Sequence, residues 1–319
     1  ARRPFQAASS RTQGSPWAWA GAGALAGLVM PVGMSQAQNA WYWNTGSGAW
    51  DLASPNWLQL GLPAAWNDGG TNDAQFAGFL SSGRVVTLSG DRTVGSLAFH
   101  GLGGSFYTMG SNSIILNKSL GDDSIAVGRG VLGGASSAAA GGHTAASNLI
   151  FNSNLAINNA GTFGLTSLTL SGSISRATAG GSISYTGTGN AVVSGSIDSS
   201  VTGGIVKSGK GTLHLSGTNA FTGDVTVDGG VLSFASDAAL GAASNSITLN
   251  SGGTLRSTGN STLNPSRAIN VAGASRIDMT TGTTLTTSAL AGSGDPRAAA
   301  GTLPHDRPLD VRGLTKRYP

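Results

Sequence analysis

Apolar residues along this chain come in short runs that alternate with small polar ones, and each run is closed by a glycine-rich corner. Val85-Val-Thr-Leu88, Val94-Gly-Ser-Leu-Ala-Phe99, Phe106-Tyr-Thr-Met109, Ile114-Ile-Leu116, Asn148-Leu-Ile-Phe151, Leu155-Ala-Ile157, Ser167-Leu-Thr-Leu170, Ser182-Ile-Ser-Tyr185 and Ala191-Val-Val193 are all of strand length. Ala268-Ile-Asn-Val271, Arg276-Ile-Asp-Met279 and Thr284-Leu-Thr-Thr287 continue the rhythm downstream. A period of two predicts strands with one face in and one face out. Between Gly203 and Leu255 the pattern is clearest, and it recurs about every twenty residues. Ser-Gly and Gly-Gly corners permit hairpins, but sequential strands with no helix between them and a fixed period favour coil stacked on coil. The fold class read from the pattern is therefore all-β, a parallel β-solenoid with Leu, Ile and Val ladders inside and Thr and Ser outside. The stretch from Gly134 to Ala146 has the weakest pattern and is expected to loop out.

Composition narrows the picture further. Of 319 residues 51 are glycine and only 10% are charged, too little charge for ordinary disorder and too much glycine for a helical domain. All 14 acidic residues are Asp, which favours turns and caps where Glu favours helix interiors. The chain has no cysteine, so an exported domain of this sequence holds itself together by stacking rather than by disulfides. The net charge of +4 invites a nucleic-acid reading until the charges are located. Arg2, Arg3 and Arg11 stand alone at the start and five basic residues face three acidic ones in residues 295–319, which leaves the body one unit negative. Nothing basic is left there for a nucleic acid to meet.

The ends differ from the body. Arg2, Arg3 and Arg11 precede the apolar stretch Trp17-Ala-Trp-Ala-Gly-Ala-Gly-Ala-Leu-Ala-Gly-Leu-Val-Met30 and then Ser35-Gln-Ala37, so residues 1–37 read as a signal peptide cleaved after Ala37. Residues 38–294 form the repeat body. In residues 295–319 charge rises abruptly and Pro296, Pro304, Pro308 and Pro319 enter, which is incompatible with a buried parallel strand. That tail is expected to be disordered or out of frame, with further repeats lost beyond it. All seven tryptophans, Trp17, Trp19, Trp41, Trp43, Trp50, Trp57 and Trp66, lie in the first 66 residues. Two readings fit them: a plug that hides the first coil from water, which we favour, or an aromatic platform for sugar rings.

Gly209-Lys-Gly-Thr-Leu-His-Leu-Ser-Gly-Thr-Asn-Ala-Phe-Thr-Gly223, followed by Val225-Thr-Val-Asp-Gly-Gly-Val-Leu232 and Ala239-Leu-Gly241, resembles the autotransporter-associated β-strand repeat of Gram-negative autotransporter passengers. The resemblance implies a secreted right-handed parallel β-helix, displayed at the cell surface or released, and normally followed by an outer-membrane barrel, which is expected to be missing from this sequence. It implies an architecture and a route, with no reaction attached.

Motifs for chemistry are correspondingly poor. Gly204-Ile-Val-Lys-Ser-Gly209-Lys210 approaches a phosphate-binding loop, but Gly211 stands where a hydroxyl is needed and a strand pattern follows instead of a helix. Gly128, Gly130 and Gly133 match a dinucleotide fingerprint by letters alone. His100, His143, His214 and His305 are scattered without metal-ligand spacing. Asp122-Asp123 is an adjacent carboxylate pair that reads as a solvated turn. Arg256, Arg267, Arg276 and Asp278 are the residues that would mark a groove, as in polysaccharide-cleaving β-helices, but they are too dispersed in sequence to be given roles. The sequence reading is a non-enzymatic passenger or stalk with no catalytic, cofactor or metal residues, meeting glycans or the surfaces of host or neighbouring cells. A carbohydrate-active β-helix and a functionless remnant are the alternatives.

Overall fold

A computed structural model describes residues 40–79, 83–102, 107–118, 121–127, 141–161, 166–250, 252–287 and 290–292. The expected signal peptide, the tail, Trp17, Trp19 and His305 lie outside these, as do Gly128, Gly130 and Gly133. Among the described residues the strands assemble into sheets of thirteen, ten, four and two strands. The chain visits the thirteen-stranded sheet, then the ten-stranded sheet, then a third face, and returns one step along. Every pairing is parallel except in the first turns, where Ala40–Trp43, Trp57–Gln59 and Leu62–Ala64 run antiparallel. The architecture is that of an all-β parallel β-helix, interrupted by one short 3-10 turn, Asp237–Leu240.

The twenty-residue rhythm of the sequence is the length of one coil. Ile183, Ile205, Val225, Ile247 and Ile269 are successive partners, 22, 20, 22 and 22 residues apart. Because side chains alternate across a strand, a fixed register stacks like on like. These isoleucines and the valine form one buried ladder, and Tyr185, Lys207, Val227, Leu249 and Val271 form the next. On the ten-stranded sheet Leu168, Ala191, Leu213, Leu232 and Leu255 do the same. Each fully buried Leu, Ile or Val contributes about 1.5–3 kcal/mol, so the stack supplies its own core without disulfides. Upstream the steps between Leu97, Ile125, Ile157 and Tyr185 lengthen to 28, 32 and 28 residues, and the pattern blurs accordingly.

Corners are held by Asp and Asn, whose short side chains reach the backbone of the next coil. Asp91 Oδ1 accepts the Ser113 N–H at 2.8 Å, Asn190 Oδ1 that of Thr212 at 3.1 Å, Asp224 Oδ1 that of Ser246 at 2.8 Å and Asn260 Oδ1 that of Thr284 at 2.9 Å. A side chain one methylene longer would overshoot this geometry, so Asp suits these corners where Glu does not.

Three local expectations need correction. Within the stretch expected to loop out, Gly141–Ala145 is a strand in register with Tyr107–Gly110 and Thr166–Leu170. Alanine and glycine hid its alternation, although His143 and Ala145 point inward and are buried. The second correction concerns Asp123, which is fully buried although its neighbour Asp122 is exposed. Its carboxylate accepts the backbone N–H groups of Lys118 at 2.7 Å, Asn152 at 2.7 Å and Ser153 at 3.0 Å, so it organises a corner rather than a solvated turn. The third concerns Arg267 and follows with the site.

Trp41, Trp43, Trp50, Trp57 and Trp66 fill the first coils and are each 4% exposed or less. Trp57 lies 4.7 Å from Trp66 and 4.9 Å from Trp50 between ring centroids, and the stack runs on through Phe76 to Phe99. Their burial rules out a sugar platform at these five positions. The rings plug the start of the helix beneath the antiparallel turns.

Candidate functional site

Outward positions of the solenoid are mostly Thr, Ser, Val and Ala, so a charged outward row stands out. On the ten-stranded sheet, register places Val192, His214, Ser233, Arg256 and Asp278 one above another on Asn190–Val193, Thr212–Leu215, Gly230–Phe234, Gly253–Ser257 and Arg276–Met279. Neighbouring strands stand about 4.8 Å apart, so the polar part of this row climbs in short regular steps. His214 Nδ1 is 2.8 Å from Ser233 Oγ. Arg256 Nε donates to Asp278 Oδ2 at 2.9 Å, and Arg276 Nη2, from the same strand as Asp278, donates to Oδ1 at 3.2 Å. One carboxylate thus orients two guanidinium groups, whose side chains are 40% and 32% exposed. Burial pulls the His214 pKa below its ordinary value, so the ring is neutral at neutral pH.

The structure therefore brings together Arg256, Arg276 and Asp278 of the four residues that could mark a groove, and removes Arg267. Arg267 is fully buried in the corner between Ser261–Thr262 and Ile269–Val271. Its guanidinium closes on the 3-10 turn of the preceding coil, donating to Asp237 Oδ1 at 2.8 Å and to the carbonyls of Leu240 at 3.0 Å, Asn245 at 3.1 Å and Gly241 at 3.1 Å. It satisfies carbonyls that a short helical turn leaves without partners, which is a packing role. Sequence reasoning missed the part played by Ser233 and His214. The signal was available: outward positions one coil apart on the ten-stranded sheet, aligned through the coil period, put His214, Ser233, Arg256 and Asp278 in one row.

His100 and His143 are interior. His143 stacks 4.9 Å from the Phe99 ring and accepts the Tyr107 N–H at Nδ1, 3.2 Å away; burial, aided by the nearby His100, pulls its pKa down to about 4. His100 Nε2 lies 2.5 Å from Gln75 Oε1. Among the described residues no three His, Cys, Asp or Glu side chains stand close enough to hold a metal ion. Gly204 and Gly209, at the near-match to a phosphate loop, are corner glycines with φ of +77° and +75°, flanking the strand Ile205–Lys207.

Lys207 is the unexpected occupant of that strand. It is wholly buried in the ladder between Tyr185 and Val227. Nζ donates to the carbonyls of Ser208 at 2.8 Å, Gly209 at 3.0 Å and, from the following coil, Gly229 at 3.0 Å, and lies 5.4 Å from the Tyr185 ring centroid. Burial pulls its pKa down to about 8, which leaves the ammonium charged at neutral pH.

Residues 205–234, the segment that contains Lys207, His214 and Ser233, match the family described as Passenger-associated-transport-repeat. Over 100 residues the chain is 38% identical to a protein named Adhesin BmaC autotransporter, from Brucella suis biovar 1 (strain 1330). That match covers 31% of this chain and 3% of the adhesin, so the chain is similar to a small part of it. No solved structure matches. Stacked coils and family match agree over this segment: residues 205–234 carry a passenger-associated transport repeat, and the chain is similar to part of an autotransporter adhesin.

Proposed function

We propose that the chain is an exported, surface-displayed, non-enzymatic element of adhesin type, a stiff β-helical scaffold that presents outward rows to another surface. The observation that carries this reading is the contrast between interior and exterior. The interior is spent on ladders, corner bonds and the aromatic plug, and the charged side chains gathered on a strand face are those of the ten-stranded sheet. Similarity to a protein named as an adhesin supports the same direction. Asp278, held between two arginines, is placed to orient them and is poorly placed to shuttle protons with a second carboxylate, which weighs against the carbohydrate-cleaving alternative.

The test is attachment. Beads coated with the full chain should bind epithelial or bacterial cells above beads coated with albumin. Equal attachment by the two coatings would overturn the adhesive reading, and release of oligosaccharides from an offered polysaccharide would restore the enzymatic one.

A further inference from the structure

We propose that the row formed by His214, Ser233, Arg256 and Asp278, with Arg276 beside it, is a binding strip for an acidic glycan whose carboxylate or sulfate groups are taken by the Arg256 fork. This rests on the reading of the chain as a surface-contacting passenger and names the chemistry of the contact.

Three features carry it. First, Arg256 meets Asp278 through Nε. Its two terminal amino groups donate no hydrogen bond to the protein among the described residues, while the side chain is 40% exposed. A guanidinium fixed by its inner edge and open at its outer edge is preorganised for a planar oxyanion, since little side-chain freedom remains to be lost on binding. Second, the charge is complementary. Arg256 and Arg276 share one carboxylate, so the cluster carries a net positive charge in a body that is one unit negative overall. Third, the row offers more than charge. Ser233 stands one coil before Arg256, buried and with its hydroxyl on His214 Nδ1, and so holds the half-buried His214 ring in line with Arg256 as a second polar group of the row. The row advances about 4.8 Å per coil, so a glycan lying along it would pass from Arg256 to His214 over two coils.

The full chain, immobilised, is offered an oligogalacturonate, a heparin-derived oligosaccharide, neutral dextran and polyglutamate at physiological salt. We expect retention of at least one acidic glycan and no retention of dextran; the two acidic probes distinguish carboxylate from sulfate as the group recognised. Arg256→Gln should weaken that binding about tenfold or more, and Arg256→Lys, which keeps the charge and loses the fork, should restore only part of it. Lys118→Gln, an exposed cation just after the strand Ser113–Leu116, should leave binding unchanged, and circular dichroism checks that each variant is folded. Retention of neither acidic glycan overturns the proposal. So does equal weakening by Arg256→Gln and Lys118→Gln, or polyglutamate binding as tight as either glycan, which would make the partner an acidic protein. Cell attachment that persists in Arg256→Gln while its glycan binding is gone would sink the strip as the contact and leave the adhesive reading standing. Loss of attachment in the unaltered chain would sink that reading instead.

Discussion

Lys207 shows at the level of one residue how this fold tolerates a charge in its core. An ammonium taken out of water is costly unless its donors are used, and here three carbonyls from two coils use them. Gly230 is part of the same arrangement: its φ is +62°, and a Cβ there would run into the Gly209 and Gly211 carbonyls and crowd the Lys207 ammonium. Lys207→Met keeps the ladder apolar but leaves those carbonyls unpaired, and should cost about 2 kcal/mol or more in urea denaturation; an unchanged midpoint would show that the bonds contribute little. His143 gives the pH dependence. Its pKa is about 4 in the fold against an ordinary 6.5, so between those values the unfolded chain holds the extra proton and stability falls as pH falls. Stability from this group is full above about pH 6.5, is lost through the window by up to about 3 kcal/mol, and levels off below about pH 4. In denaturant melts from pH 7 to 4 the His143→Phe variant should lack that component of the decline.

Elements repeat this logic once per coil. The strands were legible in the sequence because inward Ile, Leu and Val alternate with Ser and Thr, and Asn148–Phe151 and Arg276–Met279 have the bounds expected of them. Gly141–Ala145 was illegible because a strand of Gly, His, Thr and Ala carries little apolar contrast, and its register comes from the coils on either side. Asp123 and Arg267 were misread for a related reason: an ionised side chain looks solvated in one dimension, and only the stacked backbone shows which carbonyls or N–H groups it satisfies. The candidate strip was half legible, its arginines noticed and their alignment unseen until register was known. Arg267 supports the corner between the 3-10 turn and the two-stranded sheet. Arg267→Met should cost about 3 kcal/mol, and hydrogen exchange should rise at Ile269–Val271 and the neighbouring Ser261–Thr262 before it rises at Leu155–Asn159. Uniform loss of protection along the chain would contradict so local a role.

For the molecule as a whole, stacking makes stability nearly one-dimensional, each coil depending on its neighbours. The aromatic plug covers the first coils, the ladders run through the middle, and the exposed rows inherit their spacing from the coil pitch. The proposed adhesive role, and a glycan strip within it, both require that residues one coil apart in sequence stand side by side on the surface. The absence of cysteine allows that to be measured directly. Thr226 and Thr248 are outward register partners, and Asn270 is the next in the same row. Adjacent parallel strands bring Cα atoms to about 4.8 Å, within disulfide reach, whereas two coils separate them by about twice that. With cysteines at 226 and 248, mild oxidation should give an intramolecular disulfide detected by peptide mass spectrometry, and with cysteines at 226 and 270 it should not. Crosslinking of the second pair in preference to the first would contradict the stacked-coil register.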